Sequence, residues 1–89
     1  MKEFEVSVVN RAGLHTRPAA TLVKLTSKYK SNVFIEKDGM RINGKSIIGV
    51  MTLAAEIGST LLFEVDGPDE TEATNEIINL FESGFGEPI

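Results

Sequence analysis

The spacing between apolar residues switches repeatedly between two and about 3.6, and no feature constrains the fold of this chain more. Phe4, Val6 and Val8 alternate with Glu3, Glu5 and Ser7, the pattern of a strand with one buried face. From Ala19 the spacing becomes Ala19, Leu22, Val23 and Thr26, an amphipathic helix. Pro18 puts the start of that helix within a residue or two of Arg17, because proline suits a first turn and disfavours helix in the residue before it. Val33 and Ile35 alternate again, and Asp38-Gly39 joins them to Met40–Ile42 as a hairpin whose turn needs positive φ at both central residues. Asn43-Gly44 ends that strand. Ser46 can cap a short helix from about Ile47 to Leu53. After a break at Gly58, Leu61, Phe63 and Val65 form a fourth strand. Asp69 and Glu72 suggest a capping box for a last helix whose stripe runs Ala73, Ile77, Leu80, Phe81 to a stop at Gly84. One sheet with its helices on one face buries all these stripes together: an α+β open-faced sandwich in the order β-α-β-β-α-β-α.

Eighty-nine residues suffice for one domain, 1–89, but not for a deep internal active site. The absence of cysteine excludes disulfides, thiol catalysis and thiolate metal sites. No apolar run approaches the ~18 residues of a membrane span, and the first residues alternate like a strand rather than a signal peptide. A soluble, cytoplasmic protein is the simplest expectation. The net charge of −4 divides unevenly. All nine Lys and Arg lie in residues 1–45 with four acids, and residues 46–89 hold nine acids and no base. Either the surface is polarised or folding mixes the halves; an overall basic nucleic-acid binder is not expected.

His15, the single histidine, stands in Gly13-Leu14-His15-Thr16-Arg17-Pro18, between a strand and the first turn of a helix. A helix N-terminus offers unpaired N–H groups and about half a positive charge. Arg17 adds a fork of donors suited to phosphate, and a neutral imidazole keeps a nucleophilic lone pair. A phosphoryl group could be accepted and held here, or His15 could merely cap the helix.

The segment Gly13 to Ala19 resembles the active-site signature of the HPr family, phosphocarriers of the phosphoenolpyruvate-dependent sugar phosphotransferase system. Gly44-Lys45-Ser46-Ile47-Ile48-Gly49-Val50-Met51 resembles the family's regulatory-serine segment, and Glu82-Ser83-Gly84-Phe85-Gly86-Glu87 its closing residues. The resemblance spans the chain and implies a four-stranded antiparallel sheet with three helices on one face. It implies a carrier rather than a free-standing catalyst. Enzyme I would pass phosphate to Nδ1 of His15, and the phosphohistidine would donate to the EIIA component of a sugar permease. Arg17 matches the arginine that balances the phosphoryl charge, and backbone N–H groups near Thr16 and Arg17 would steady the group. No metal and no cofactor is expected in the carrier. Thr16 departs from the alanine common after the histidine, either as modest tuning or as a neutral variation.

Ser46 matches the serine modified by HPr kinase/phosphorylase in the Gram-positive-type branch, which is a further expected partner; the alternative is a plain N-cap. Ile47 and Ile48 are adjacent, so a short helix cannot bury both, and with Met51 they suggest an exposed apolar patch. Lys24 and Lys28, with Arg17 and Ala20 on the same helix, suggest a basic border that steers acidic partners. Core packing and a solvated charged face are the plainer readings. The chain is expected to act as a monomer, without nucleic-acid or membrane partners. Other functions open from the sequence are a regulatory paralogue not coupled to sugar uptake, a small acylphosphatase-like phosphohydrolase and a pure binding regulator.

Overall fold

The four alternating runs become one antiparallel sheet in the computed structural model, which describes residues 1–88. Its strands are β1 (Lys2–Ser7), β2 (Asn32–Lys37), β3 (Met40–Asn43) and β4 (Thr60–Asp66). The helices are α1 (Thr16–Thr26), α2 (Ile47–Thr52) and α3 (Glu70–Glu82), followed by a 3-10 turn at Gly84–Gly86. The sheet order is β1-β4-β2-β3, so the last strand made lies between the first two. Phe4 stands opposite Phe63, and Phe63 opposite Ile35, on the face the helices cover. Asp38 and Gly39 both take positive φ, 50° and 82°, and close the expected two-residue hairpin between Lys37 and Met40.

The buried stripes meet as foreseen. Val6, Val33, Ile35, Leu61, Phe63 and Val65 from the sheet pack on Ala19 and Leu22 of α1, Val50 of α2, and Ala73, Ile77 and Phe81 of α3. Each large side chain fully withdrawn from water contributes roughly 1.5–3 kcal/mol, so this layer outweighs any single polar contact. Aromatic rings carry the packing towards the chain's last residues. Phe4 stacks on Phe63 at 5.3 Å between centroids, Phe63 meets Phe81 edge-on at 5.6 Å, and Phe81 meets Phe85 at 4.9 Å. The residues just beyond Phe85 are thereby anchored to the sheet.

The start of α3 corrects the capping-box expectation. Asp69 occupies the N-cap position but makes no side-chain cap. Its carboxylate instead accepts from the N–H groups of Lys30 and Ser31 (2.9 and 3.0 Å) and from Ser31 Oγ (2.5 Å). The side-chain bond back to the preceding turn comes from Glu70, whose Oε1 accepts from Gly67 N, rather than from Glu72. Three donors outcompete one cap, because a carboxylate gains most where several N–H and O–H groups converge. They pull the Asp69 carboxyl down from its ordinary 3.8 to about 2, the Ser31 hydroxyl contributing most.

Folding mixes the two charge halves only in part. Arg41 forms a two-pronged pair with Glu64 (3.1 and 2.8 Å) across the sheet's open face and lies over the Phe34 ring at 4.4 Å. The helices stay segregated, with Arg17, Lys24 and Lys28 on α1 and Glu70, Glu72, Glu76 and Glu82 on α3.

Candidate functional site

His15 lies at the N-cap of α1 in extended backbone (φ −76°, ψ −170°), but its side chain makes no capping hydrogen bond. Gly13 shapes the approach. Its φ of +71° suits glycine, and a Cβ there would stand 2.6 Å from the carbonyl oxygen of Ala55. That carbonyl accepts from Leu14 N at 2.9 Å, which fastens the loop to the segment after α2 while Leu14 is buried below. The side chain of His15 is left 43% exposed.

The helix end beneath it is open. Pro18 has no N–H, and the first intrahelical bond runs from Ala19 N to His15 O at 3.0 Å. Among the described residues the N–H groups of Thr16 and Arg17 have no acceptor outside the helix, and at its first turn they have none within it. The first turn carries no carboxylate. Two N–H groups without an acceptor among the described residues, the helix dipole and the exposed Arg17 therefore share the helix end with His15, an arrangement suited to an anion of phosphate size. Arg17 forms no ion pair among the described residues, so its guanidinium is uncommitted.

Glu87 is the residue that spacing and periodicity missed. Both its carboxylate oxygens lie 3.2 Å from His15 Nε2. A carboxylate only accepts, so in the neutral ring this contact is a hydrogen bond for the tautomer protonated at Nε2, the one that keeps the lone pair on Nδ1. Glu87 is itself held by Asn10, whose Nδ2 donates to Glu87 Oε1 (3.0 Å) and to the Gly13 carbonyl (2.9 Å). Burial pushes the Glu87 carboxyl up; the bonds from Asn10 and His15 and the charge of Arg17 outweigh it, and the carboxyl titrates below its usual range. The only sequence sign of Glu87 was its place in the closing segment.

Ser46 caps α2, its Oγ accepting from Gly49 N at 3.0 Å. Ile48 is 79% exposed, with Ile47 and Met51 each a little over 40%, so the α2 patch faces solvent. Thr16, Ala20, Lys24 and Lys28 are also exposed. Lys24 and Lys28 border a groove of about 450 Å³ between α1 and α3, where Leu25 and Leu80 form the floor and Glu76 stands opposite. His15 and Arg17 do not line that groove, so the candidate site is an open surface beside it. Among the described residues no helix is long and apolar enough to cross a membrane.

An exposed imidazole with one nitrogen engaged, at a helix start without a side-chain cap and with an exposed arginine two residues on, has the features of a surface anion site. Residues 2–83 match the family model described as "PTS HPr component phosphorylation site". The phosphocarrier protein HPr of Treponema pallidum is 48% identical over 82 residues, covering 92% of this chain and 93% of that one. The HPr-like protein Crh of Halalkalibacterium halodurans is 44% identical over 82 residues, covering 92% and 98%. A crystal structure of HPr from Thermoanaerobacter tengcongensis superimposes with a TM-score of 0.96 at 42% identity, over the whole of both chains. This chain belongs to the HPr family of phosphocarriers of the phosphotransferase system.

Proposed function

We propose that this protein carries phosphoryl groups on Nδ1 of His15, taking them from phospho-Enzyme I and delivering them to EIIA components of sugar permeases. The observation that carries the reading is the engagement of Nε2 by Glu87, which leaves Nδ1 as the nucleophilic nitrogen beside two free helix N–H groups. Transfer breaks the P–N bond of the donor phosphohistidine and forms one at Nδ1, while the donor ring recovers its lone pair. Phosphoryl transfer of this kind needs positioning and charge stabilisation more than covalent help. The N–H groups of Thr16 and Arg17 and the Arg17 guanidinium supply both here. The protein acts as a carrier rather than a free-standing catalyst, with no cofactor of its own, in the cytoplasm and as a monomer.

Ile47, Ile48, Met51 and Ala20 form the docking surface, with Lys24 and Lys28 as its basic border. Phosphorylation of Ser46 by an HPr kinase/phosphorylase places charge on that surface and slows use of His15. A helix N-terminus accommodates the added charge without unfolding α2. The 44% identity to Crh supports a second reading, a regulatory paralogue not coupled to sugar uptake.

The test is intact mass after incubation with Enzyme I, Mg2+ and phosphoenolpyruvate, repeated after brief acid treatment. One phosphoryl group that acid removes is expected. No added mass, beside a control HPr labelled in the same tube, overturns the carrier reading. Onward transfer to an EIIA domain separates the sugar carrier from the regulatory paralogue.

A further inference from the structure

Asn10 is fully buried, and its Oδ1 has no hydrogen-bond partner. Rotating the amide would turn that oxygen onto two other acceptors, the Gly13 carbonyl and the Glu87 carboxylate, so the orientation is fixed. A buried acceptor left unpaired costs about 1–3 kcal/mol, a cost the fold accepts at this position. What the amide secures is Glu87, 77 residues away in sequence, against the single histidine.

We propose that Glu87, anchored by Asn10, is a positioning residue for His15: it selects the tautomer protonated at Nε2 and counterbalances the positive charge the ring acquires when Nδ1 forms its bond to phosphorus. The inference rests on the carrier reading for its second half only. In the step, Nδ1 spends its lone pair on the phosphoryl group, Nε2 keeps its proton, and the ring becomes a phosphoimidazolium. The donor nitrogen takes back the bonding pair. A carboxylate 3.2 Å from Nε2 stabilises that cation as it develops, which is the role a buried carboxylate plays behind a catalytic imidazole. Here the pair is partly solvated, the Glu87 side chain being 15% exposed, and the effect is correspondingly modest.

Two readouts test this. The ring nitrogens of His15 are followed by 15N NMR at a pH where titration of their shifts shows the ring neutral. The rate of phosphoryl acceptance is followed with phospho-Enzyme I. Glu87→Ala should raise the population protonated at Nδ1 and slow acceptance about three- to tenfold. Glu87→Gln keeps an acceptor oxygen but not the charge, so it should hold the tautomer better than alanine and still react more slowly than the parent. A folded Asn10→Ala should move both readouts in the direction of Glu87→Ala, by less. Tautomer populations that do not differ among the parent and the two Glu87 variants overturn the proposal whether or not the protein is phosphorylated. A tautomer that shifts while the rate stays constant overturns the charge-balancing half. If even the parent takes no phosphoryl group, the carrier reading fails, and the NMR arm still decides the tautomer.

Discussion

The first turns of α1 and α2 face the same physical problem and resolve it in opposite ways. Both begin with N–H groups that lack helical partners, and neither has a carboxylate in its first turn. At α2 the chain supplies its own acceptor, Ser46 Oγ on Gly49 N. At α1 the cap residue turns its ring away to Glu87, and the N–H groups of Thr16 and Arg17 stay open. α3 fills its own first turn with Glu70 and Glu72. The difference separates an end whose donor the fold itself satisfies from an end whose donors it leaves open. Phosphorylated Ser46 would convert the closed end into a charged one beside the exposed Ile47 and Ile48.

The comparison can be broken most severely at His15. His15→Ala should abolish phosphoryl acceptance, read by intact mass, and leave the fold intact by circular dichroism, because its side chain contributes little core area. Ser46→Asp keeps a capping oxygen and adds charge beside Ile47 and Ile48. It should slow Enzyme I-dependent phosphorylation by about tenfold at low salt and less as salt rises; equal rates at low salt would remove Ser46 from the regulatory account. Gly13→Ala forces a Cβ against Ala55 O at positive φ and should lower stability in urea by about 1–3 kcal/mol. Ser46→Ala opens the α2 end and should cost about 1 kcal/mol in the same assay, where no loss would mean the cap contributes nothing.

The subtlest test lies at Asp69. Its folded-state carboxyl titrates at about 2, below the ordinary 3.8, so its stabilising effect is complete above the higher value and is lost as pH falls through the lower. Asp69→Asn should lower the urea midpoint at neutral pH and flatten the decline in stability on acidification. A decline as steep as the parent's would show that the bonds to Lys30 and Ser31 carry no linkage.

The strands and helices were legible because each buries one face, and a buried face imposes its own period on the sequence. Asp38-Gly39 was legible because only certain residues tolerate two consecutive positive φ values. His15 and Arg17 stood out because four adjacent positions bring imidazole, cation and helix start together. Glu87 and Asn10 had no such local signature. Glu87 meets His15 and Asn10 only once the 3-10 turn at Gly84–Gly86 has folded back, across 72 and 77 residues. Asp69 was misread because a carboxylate at an N-cap position has a local partner, and nothing local revealed the three stronger donors in the turn before β2. Ala54 and Phe85 take positive φ, 49° and 59°, without the glycine or asparagine that would have announced it.

The place of β4 between β1 and β2 has a consequence for biosynthesis. As the chain leaves the ribosome, β1 and β2 emerge first, yet neither has the other as a neighbour, and the strand that joins them is made after α2. Until then only the β2–β3 hairpin can pair, and α1 has a fragment of sheet to lie on. The histidine is synthesised before β4, and Glu87 after it. A nascent chain thus holds its imidazole without Glu87 until β4 has been made and can close the sheet.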